Sequence, residues 1–395
     1  FTLSVAKLEF SRLCCKKMVC GGDNKKVDED HKLYTKKFFQ TKKLLLLGTG
    51  ESGKTTIIKQ MKILHINGFS EVERKEKIPF IRQNIHESIY DIVSNMSKIN
   101  PPVEIHSVES RTSVEYILNL GPNEPSEYTD EYFDHVKIAW ADKGVQDTYE
   151  RSNEYQLIDS AAHFLNRLDE IRQPDYIPTT LDILFCRVMT VSISKIEFEV
   201  KYGGGVAEFW MYDVGGQRGQ RKKWIQVFDG IQAILFIISA SDFDQTLRED
   251  ENKNRLEEAF SLFEDVYRSR FVRDAGLILF LNKQDLLKKK IDQGRKLEKY
   301  FPEYSNYQTK EGDPNSEYDR AKFFMKDKVE KIASTPLTIE HIGFVPGKNI
   351  HEKLPPRTIY THFTVATDTN NIKKIFESVR DTILRHTIDV TFGTF

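Results

Sequence analysis

Three things are scarce in this chain. Cysteine is the first, with four residues in 395, at positions 14, 15, 20 and 186. That is too few for a disulfide framework at this length, which favours a reducing, cytosolic compartment. Net charge is the second. Lysine plus arginine number 58 and aspartate plus glutamate 59, a formal balance of −1, so nothing global favours nucleic acid as a partner. Long apolar runs are the third. No stretch reaches the roughly 18 apolar residues of a membrane-spanning helix. Internal repeats and low-complexity tracts are also missing. Phe1 to Leu13 shows no signal-peptide pattern. There is no Met-Gly start and hence no case for myristoylation; Phe1 at the head of the chain fits an incomplete or processed start. What remains, 30% charged and 39% hydrophobic residues, suits a soluble globular protein with room for two or three domains.

The most informative stretch is Gly48-Thr49-Gly50-Glu51-Ser52-Gly53-Lys54-Thr55. It fits G-x-x-x-x-G-K-[ST], the phosphate-binding loop of nucleotide hydrolases. The apolar run Leu44-Leu45-Leu46-Leu47 before it reads as a strand buried in a parallel sheet. Ile57, Met61 and Leu64 after it recur at helical spacing. Backbone N–H groups in such a loop converge on phosphate oxygens, and the following helix N-terminus adds favourable partial charge. Lys54 is expected to reach the β- and γ-phosphates, and the Thr55 hydroxyl to hold Mg²⁺.

The pattern then changes. Residues 69–177 read almost wholly helical, with Ile78, Ile81, Ile85, Ile89, Ile92 and Met96 on one apolar face and shorter amphipathic pieces near 113–119, 129–141 and 155–172. This predicts an all-helical domain inserted in an α/β fold. Strand patterns resume at 195–202 and 208–212 around a glycine turn, and again at 233–239 and 277–281. Helices are expected near 217–228, 251–268, 286–299 and 319–333. Residues 334–357 read as a long surface loop, and Ile372, Ile375, Phe376, Val379, Ile383 and Leu384 mark a final amphipathic helix.

Further motifs make sense only beside the phosphate loop. Asp213-Val214-Gly215-Gly216-Gln217 follows a strand. Asp213 would hold a Mg²⁺-bound water, Gly216 would let its N–H approach the γ-phosphate, and Gln217 would orient the attacking water. Asn282-Lys283-Gln284-Asp285 is a base reader. The Asp285 carboxylate accepts from guanine N1–H and the 2-amino group, donors that adenine lacks on that edge. The Ala366 N–H, in Thr364-Val365-Ala366-Thr367, could donate to guanine O6. Thr190 is a candidate second hydroxyl ligand to Mg²⁺, and Arg187, three residues before it, could reach the γ-phosphate. Near the start, Cys14, Cys15 and Cys20 lie among lysines. That suits either palmitoylation at an anionic membrane surface or three unmodified thiols in a tail.

These motifs together resemble the α subunits of heterotrimeric G proteins, from about residue 40 to 385, and within them the stimulatory, Gs-like class. Stretches 149–159 (YERSNEYQLID), 175–187, 222–228 (KKWIQVF), 247–250 (LRED), 280–287 (FLNKQDLL) and 300–304 (YFPEY) carry the likeness. The resemblance implies a Ras-like P-loop GTPase domain with a mostly parallel sheet (41–68 and 180–395), an inserted all-α domain (69–179) and an N-terminal segment (1–40) contacting membrane and βγ. It implies a GTP-hydrolysing switch at the cytoplasmic face of the plasma membrane. Its partners would be the Gβγ dimer, a G-protein-coupled receptor at the C-terminal helix, and an effector such as adenylyl cyclase at the second switch.

Residue by residue, the likeness makes Arg187 a built-in arginine finger and Gln217 the water-orienting residue. Thr55 and Thr190 would bind Mg²⁺. Gly48, Glu51, Ser52, Gly53, Lys54, Thr56, Asp159, Asp213, Gly216, Asn282, Lys283, Asp285 and Ala366 would complete the GTP site. Glu51 would pair with Arg187, Asp159 would approach Lys283, Arg221 would pair with Glu258, and Trp224 would pack the second switch. Beyond a short, poorly matched N-terminal helix, a loop at 334–357 longer than usual and a C-terminus, 391–395, that matches no receptor class, two switch stretches depart from the family. Val191-Ser192 stands where Thr-Gly is usual, and Gln217-Arg218-Gly219-Gln220-Arg221 lacks the usual glutamate. Those departures leave a second reading open, a nucleotide-binding module that no longer cycles. A P-loop ATPase or kinase is disfavoured by Asn282-Lys283-Gln284-Asp285.

Overall fold

The computed structural model describes residues 37–38, 40–202, 205–338 and 356–392, with side chains as far as Leu384. In chain order the structure begins with strand β1 (Lys42–Gly48) and helix α1 (Lys54–His65). Helices α2 (Glu71–Lys75), α3 (Ile78–Asn95), α4 (Val108–Leu120), α5 (Asp130–Ala141), α6 (Lys143–Glu150), α7 (Ala161–Leu165), α8 (Leu168–Ile171) and α9 (Thr180–Phe185) follow. Strands β2 (Ser194–Tyr202), β3 (Gly205–Asp213) and β4 (Ala233–Ser239) come next, then a small hairpin of β5 (Thr246–Leu247) and β6 (Asp250–Asn254). The chain ends through α10 (Arg255–Arg268), β7 (Gly276–Asn282), α11 (Gln284–Asp292), α12 (Glu317–Ser334), β8 (Ile359–Phe363) and α13 (Thr369–Phe392).

The chain divides into two compact units. The first holds residues up to Ile66, Thr190–Phe243 and everything from Leu256 onward; the second holds Asn67–Met189 with Asp244–Arg255.

The first unit is built on a six-stranded sheet of order β2-β3-β1-β4-β7-β8, with only β2 antiparallel to its neighbour. The apolar run of β1 follows from burial on both faces. Leu45 and Leu47 enter one core with Phe236, Phe263 and Phe324, while Leu44 and Leu46 enter another with Ile57, Met61 and Phe376. A strand covered on both sides cannot alternate with polar residues, so its sequence loses the period-two signal. Parallel strands align their C-terminal ends at one edge, where open α/β sheets bind ligands. Gly48, Asp213 and Asn282 each end such a strand.

Between Asn67 and Met189 the second unit is built from helices α2 to α9, around a core that includes Ile81, Ile85, Ile89 and Ile92 of α3. Two local expectations need correction. The stretch expected as a helix at 217–228 is a 3-10 helix, Arg218–Val227, tied to the carbonyls of the glycine turn just before it. The helix expected from 251 starts at Arg255, because Asp250–Asn254 pairs with Thr246–Leu247 instead. Helix α6 lies within the stretch read as almost wholly helical; its N-cap is Asp142, whose side chain accepts from Gly144 N–H at 2.8 Å. Among the described residues, no helix is long and apolar enough to cross a membrane.

Candidate functional site

The phosphate loop joins β1 to α1 as its sequence requires. Gly53 caps the helix in the left-handed region, with φ 104. A side chain there would also collide with Asn282, since an added Cβ would lie 2.3 Å from Nδ2. Lys54 is buried, and its ammonium donates to the carbonyls of Thr49, at 2.7 Å, and Gly48, at 3.2 Å. Burial lowers its pKa to about 8, partly offset by the nearby Asp213 carboxylate. Ser52 Oγ is buried with no hydrogen-bond partner among the described residues. Thr56 lies half-buried one residue further along α1.

Three oxygens meet beside this loop. Thr55 Oγ1 donates to Asp213 Oδ2 at 2.7 Å and lies 2.9 Å from Thr190 Oγ1. Asp213 Oδ1 is buried, and among the described residues no donor meets it at hydrogen-bonding geometry. Burial raises the Asp213 carboxyl despite the Thr55 bond and the Lys54 charge. A set of hydroxyl and carboxylate oxygens with one lone pair unused fits a hard divalent cation, not a thiophilic metal.

The segment after β3 closes in from the other side. An added Cβ on Gly216 would lie 2.3 Å from Lys54 Nζ and 2.5 Å from the carbonyls of Gly48 and Thr49. Only glycine permits that approach. Gln217 reaches the loop too, its Cγ being 3.2 Å from where a Gly50 side chain would begin. The following 3-10 helix is held at three points. Trp224, buried, donates from Nε1 to Gly215 O at 2.8 Å. Arg221 donates from Nε to Gly216 O at 3.1 Å and from Nη1 to Glu258 at 2.7 Å. Arg218, which sequence reasoning left out, shares the same carboxylate at 2.8 Å. Hydrogen bonds from Arg218 pull the Glu258 pKa down to about 2; burial opposes them and Arg221 reinforces them. Lys223 links this segment to the one before β2, donating to Val191 O at 2.6 Å.

The base-reading motif is tied to the phosphate loop through Asn282. Its Nδ2 donates to Ser52 O at 2.9 Å, and its Oδ1 accepts from Ala366 N–H and Thr364 Oγ1, each at 3.0 Å. The Ala366 N–H expected to serve a guanine oxygen is thus donated to Asn282 in this structure, so O6 would have to share it as a second acceptor. Lys283 takes a left-handed backbone, φ 59, and its ammonium lies 3.4 Å from Asp242. Asp285 is exposed in the first turn of α11, so its carboxylate is open to a ligand.

Two predicted site residues belong to the second unit and are described there alone. Asp159 is exposed. Arg187 follows α9 and is half-buried; Asn84, missed by the sequence reading, bonds its backbone on both sides. The cysteines at 14, 15 and 20 lie outside the described residues.

This geometry agrees with what the chain is similar to. The family profile described as "G-protein alpha subunit" matches residues 22–383. The chain belongs to the G-protein α-subunit family. Among its relatives is the "Guanine nucleotide-binding protein G(f) subunit alpha" of Drosophila melanogaster, 48% identical over 90% of this chain and 88% of that protein. The "G(s) subunit alpha" of Homarus americanus is 43% identical and the human "G(olf) subunit alpha" 44%, each over 92% of this chain and 91% of the relative. This G-protein α subunit is of the Gs-like class. It binds guanine nucleotide and hydrolyses GTP, acting as a switch between G-protein-coupled receptors and effectors.

Proposed function

We propose that the first unit holds GTP with Mg²⁺ and that the segments around Thr190 and after Asp213 are its two switches. The observation that carries this is the convergence of Thr55, Thr190 and Asp213 beside Lys54 and Gly216. Thr55 and Thr190 would hold the cation directly and Asp213 through water. Bound there, Mg²⁺ supplies charge neutralisation for the phosphate oxygens. The protein groups do the rest. Lys54 and the loop N–H groups bind the phosphates, Gln217 positions the water, and Arg187 neutralises charge on the transferring phosphoryl group. Asp285 reads guanine. Loss of the γ-phosphate would release both segments, which are cross-linked through Lys223 and Val191.

The partner reading is part of the same proposal. The Gβγ dimer, a receptor at α13 and adenylyl cyclase at the second switch are the partners, with acylation of Cys14, Cys15 and Cys20 holding the chain to the cytoplasmic face of the plasma membrane. Supporting the effector surface, Trp224 packs inward while its neighbour Ile225 is 50% exposed on a charged segment. The test is cyclic AMP production by purified adenylyl cyclase with GTP-loaded Gln217→Leu protein. Stimulation, weakened by Ile225→Ala with GTP binding intact, is expected. Absence of stimulation at saturating protein would remove the effector while leaving the GTPase untouched.

A further inference from the structure

Arg187 stands at an awkward place in the chain. Helix α9 ends at Phe185, and Cys186 turns the chain out of it at φ −58, ψ 115. Residues 186 to 193 belong to no helix or strand, so no regular ladder fixes the Arg187 peptide groups. Instead one side chain does so. Asn84, 3% exposed in the middle of α3, accepts from Arg187 N–H at 2.7 Å and donates to Arg187 C=O at 3.1 Å. The primary amide acts as a one-residue strand partner, meeting both polar groups of one residue from 103 positions away. Asn84 is itself held firmly. It sits one position from Ile85 and three from Ile81, both fully buried, and its carbonyl accepts from Ser88 Oγ at 2.6 Å.

We propose that Asn84 is a positioning residue for GTP hydrolysis, clamping the Arg187 backbone so that the guanidinium is presented from a fixed origin. The inference rests on reading Arg187 as the arginine of the reaction. Two bonds to one residue fix both its position and the orientation of its peptide planes, which a single bond cannot do. A long flexible side chain neutralises charge in a transition state only if its root does not wander, since a displacement of about 1 Å costs about 10²-fold in rate. Asn84 touches no reacting atom; its effect passes through Arg187. The alternative is that it merely satisfies two backbone groups and stabilises the fold.

Single-turnover GTP hydrolysis separates these roles, measured on the full chain as wild type, Asn84→Ala, Asn84→Asp, Asn84→Ser, Arg187→Ala and the Asn84→Ala/Arg187→Ala double variant. Affinity for a non-hydrolysable GTP analogue and thermal unfolding are recorded beside it. Asn84→Ala is expected to slow hydrolysis about ten- to a hundred-fold with analogue affinity unchanged. Asn84→Asp keeps the acceptor but sets a carboxylate oxygen against the Arg187 carbonyl, so it should slow hydrolysis at least as much; Asn84→Ser carries the comparison if neither variant folds. In the Arg187→Ala background, loss of Asn84 should add nothing, because the two act as one unit. Equal slowing in both backgrounds, or no slowing at all, overturns the proposal. An Arg187→Ala chain that hydrolyses at the wild-type rate overturns the reading of Arg187 itself, a result distinguishable from the first.

Discussion

Removing the Glu258 carboxylate should open the second switch locally. Arg218, Arg221, Lys223 and Trp224 tie down the 3-10 helix Arg218–Val227, and of its side chains only Trp224 and Val227 are buried. A 3-10 helix of that length is poorly bonded in itself, so tertiary ties decide whether it stays closed. Lowering a carboxyl from its usual 4.5 to about 2 sets a ceiling of about 3 kcal/mol on what the arginines contribute. Arg218 is 40% exposed and Arg221 20%, so solvent screening brings the working figure to about 1–2 kcal/mol. Glu258→Ala should therefore raise amide exchange within 218–227 about ten-fold or somewhat more, with β1 and β4 unchanged. The sign with pH follows from a depressed carboxyl. The contribution is complete above the unfolded value near 4.5 and is lost as pH falls toward about 2. Arg221→Ala should cost more than Arg218→Ala, because Arg221 is less exposed and also binds Gly216 O. Hydrogen exchange read by mass spectrometry tests this. Unaltered protection in the segment, or an equal loss across the sheet, refutes the reasoning.

Gly216→Ala places a Cβ against two backbone carbonyls, which cannot move aside cheaply; affinity for a GTP analogue should fall while GDP binding persists, and wild-type affinity for the analogue would count against the close approach. Asp285→Asn replaces an acceptor with a group that presents a donor to guanine's donor edge, so GTP affinity should fall at least 10²-fold, roughly the cost of unpaired polar groups in a site; equal affinity by calorimetry would remove the base-reading role. Asp182 is fully buried in α9 and accepts from His163 at 2.8 Å, Tyr176 at 2.9 Å, Thr179 N–H at 2.8 Å and Arg167. Burial alone would raise its carboxyl, but these donors outweigh it and hold it well below the usual range. Asp182→Asn should therefore cost about 3 kcal/mol at pH 7, and the gap to wild type should narrow in urea unfolding as pH falls below about 4; a pH-independent gap would mean that packing, not charge, holds the cluster.

What the sequence revealed, and what it hid, divides by the range of the interaction. Contiguous motifs were legible because loop, strand end and helix start lie within a few residues of one another; Gly48 to Thr55 and Asn282 to Asp285 needed no distant partner to be recognised. The α3 stripe was legible from its period. Yet the same stripe conceals Asn84. A polar residue between apolar ones on a helix reads as part of the wet face, and only folding shows it buried against Arg187. Arg218 was passed over because an exposed arginine has no sequence mark that says which carboxylate it shares. At 251–254, local helical character lost to pairing with Thr246 and Leu247, a competition that a window of residues cannot weigh. The glycine turn at 215–216 told of close approach, but not that its carbonyls would anchor Arg221 and Trp224.

The first unit's geometry joins two tasks that the motifs describe separately. Asn282 belongs to the base-reading motif, yet its amide bonds the phosphate loop through Ser52 O and the third loop through Ala366 N–H. Its two functional ends point to different loops, and Thr364, in the same loop as Ala366, also donates to the acceptor end. Gln60 of α1 adds a further tie, donating to Ala366 O at 2.8 Å. Helix α1 begins at Lys54, so the element that carries the ammonium proposed to bind phosphate also braces the loop at 364–367 proposed to meet the base. Buried polar networks of this kind are rigid when every member is satisfied and costly when one is not. A ligand contact that pulled Ala366 N–H away from Asn282 would therefore be felt at Ser52 and at the start of α1. Under the roles proposed above, recognition of the base and retention of the phosphates would be one mechanical property of the unit, and a change in α1 would reach both.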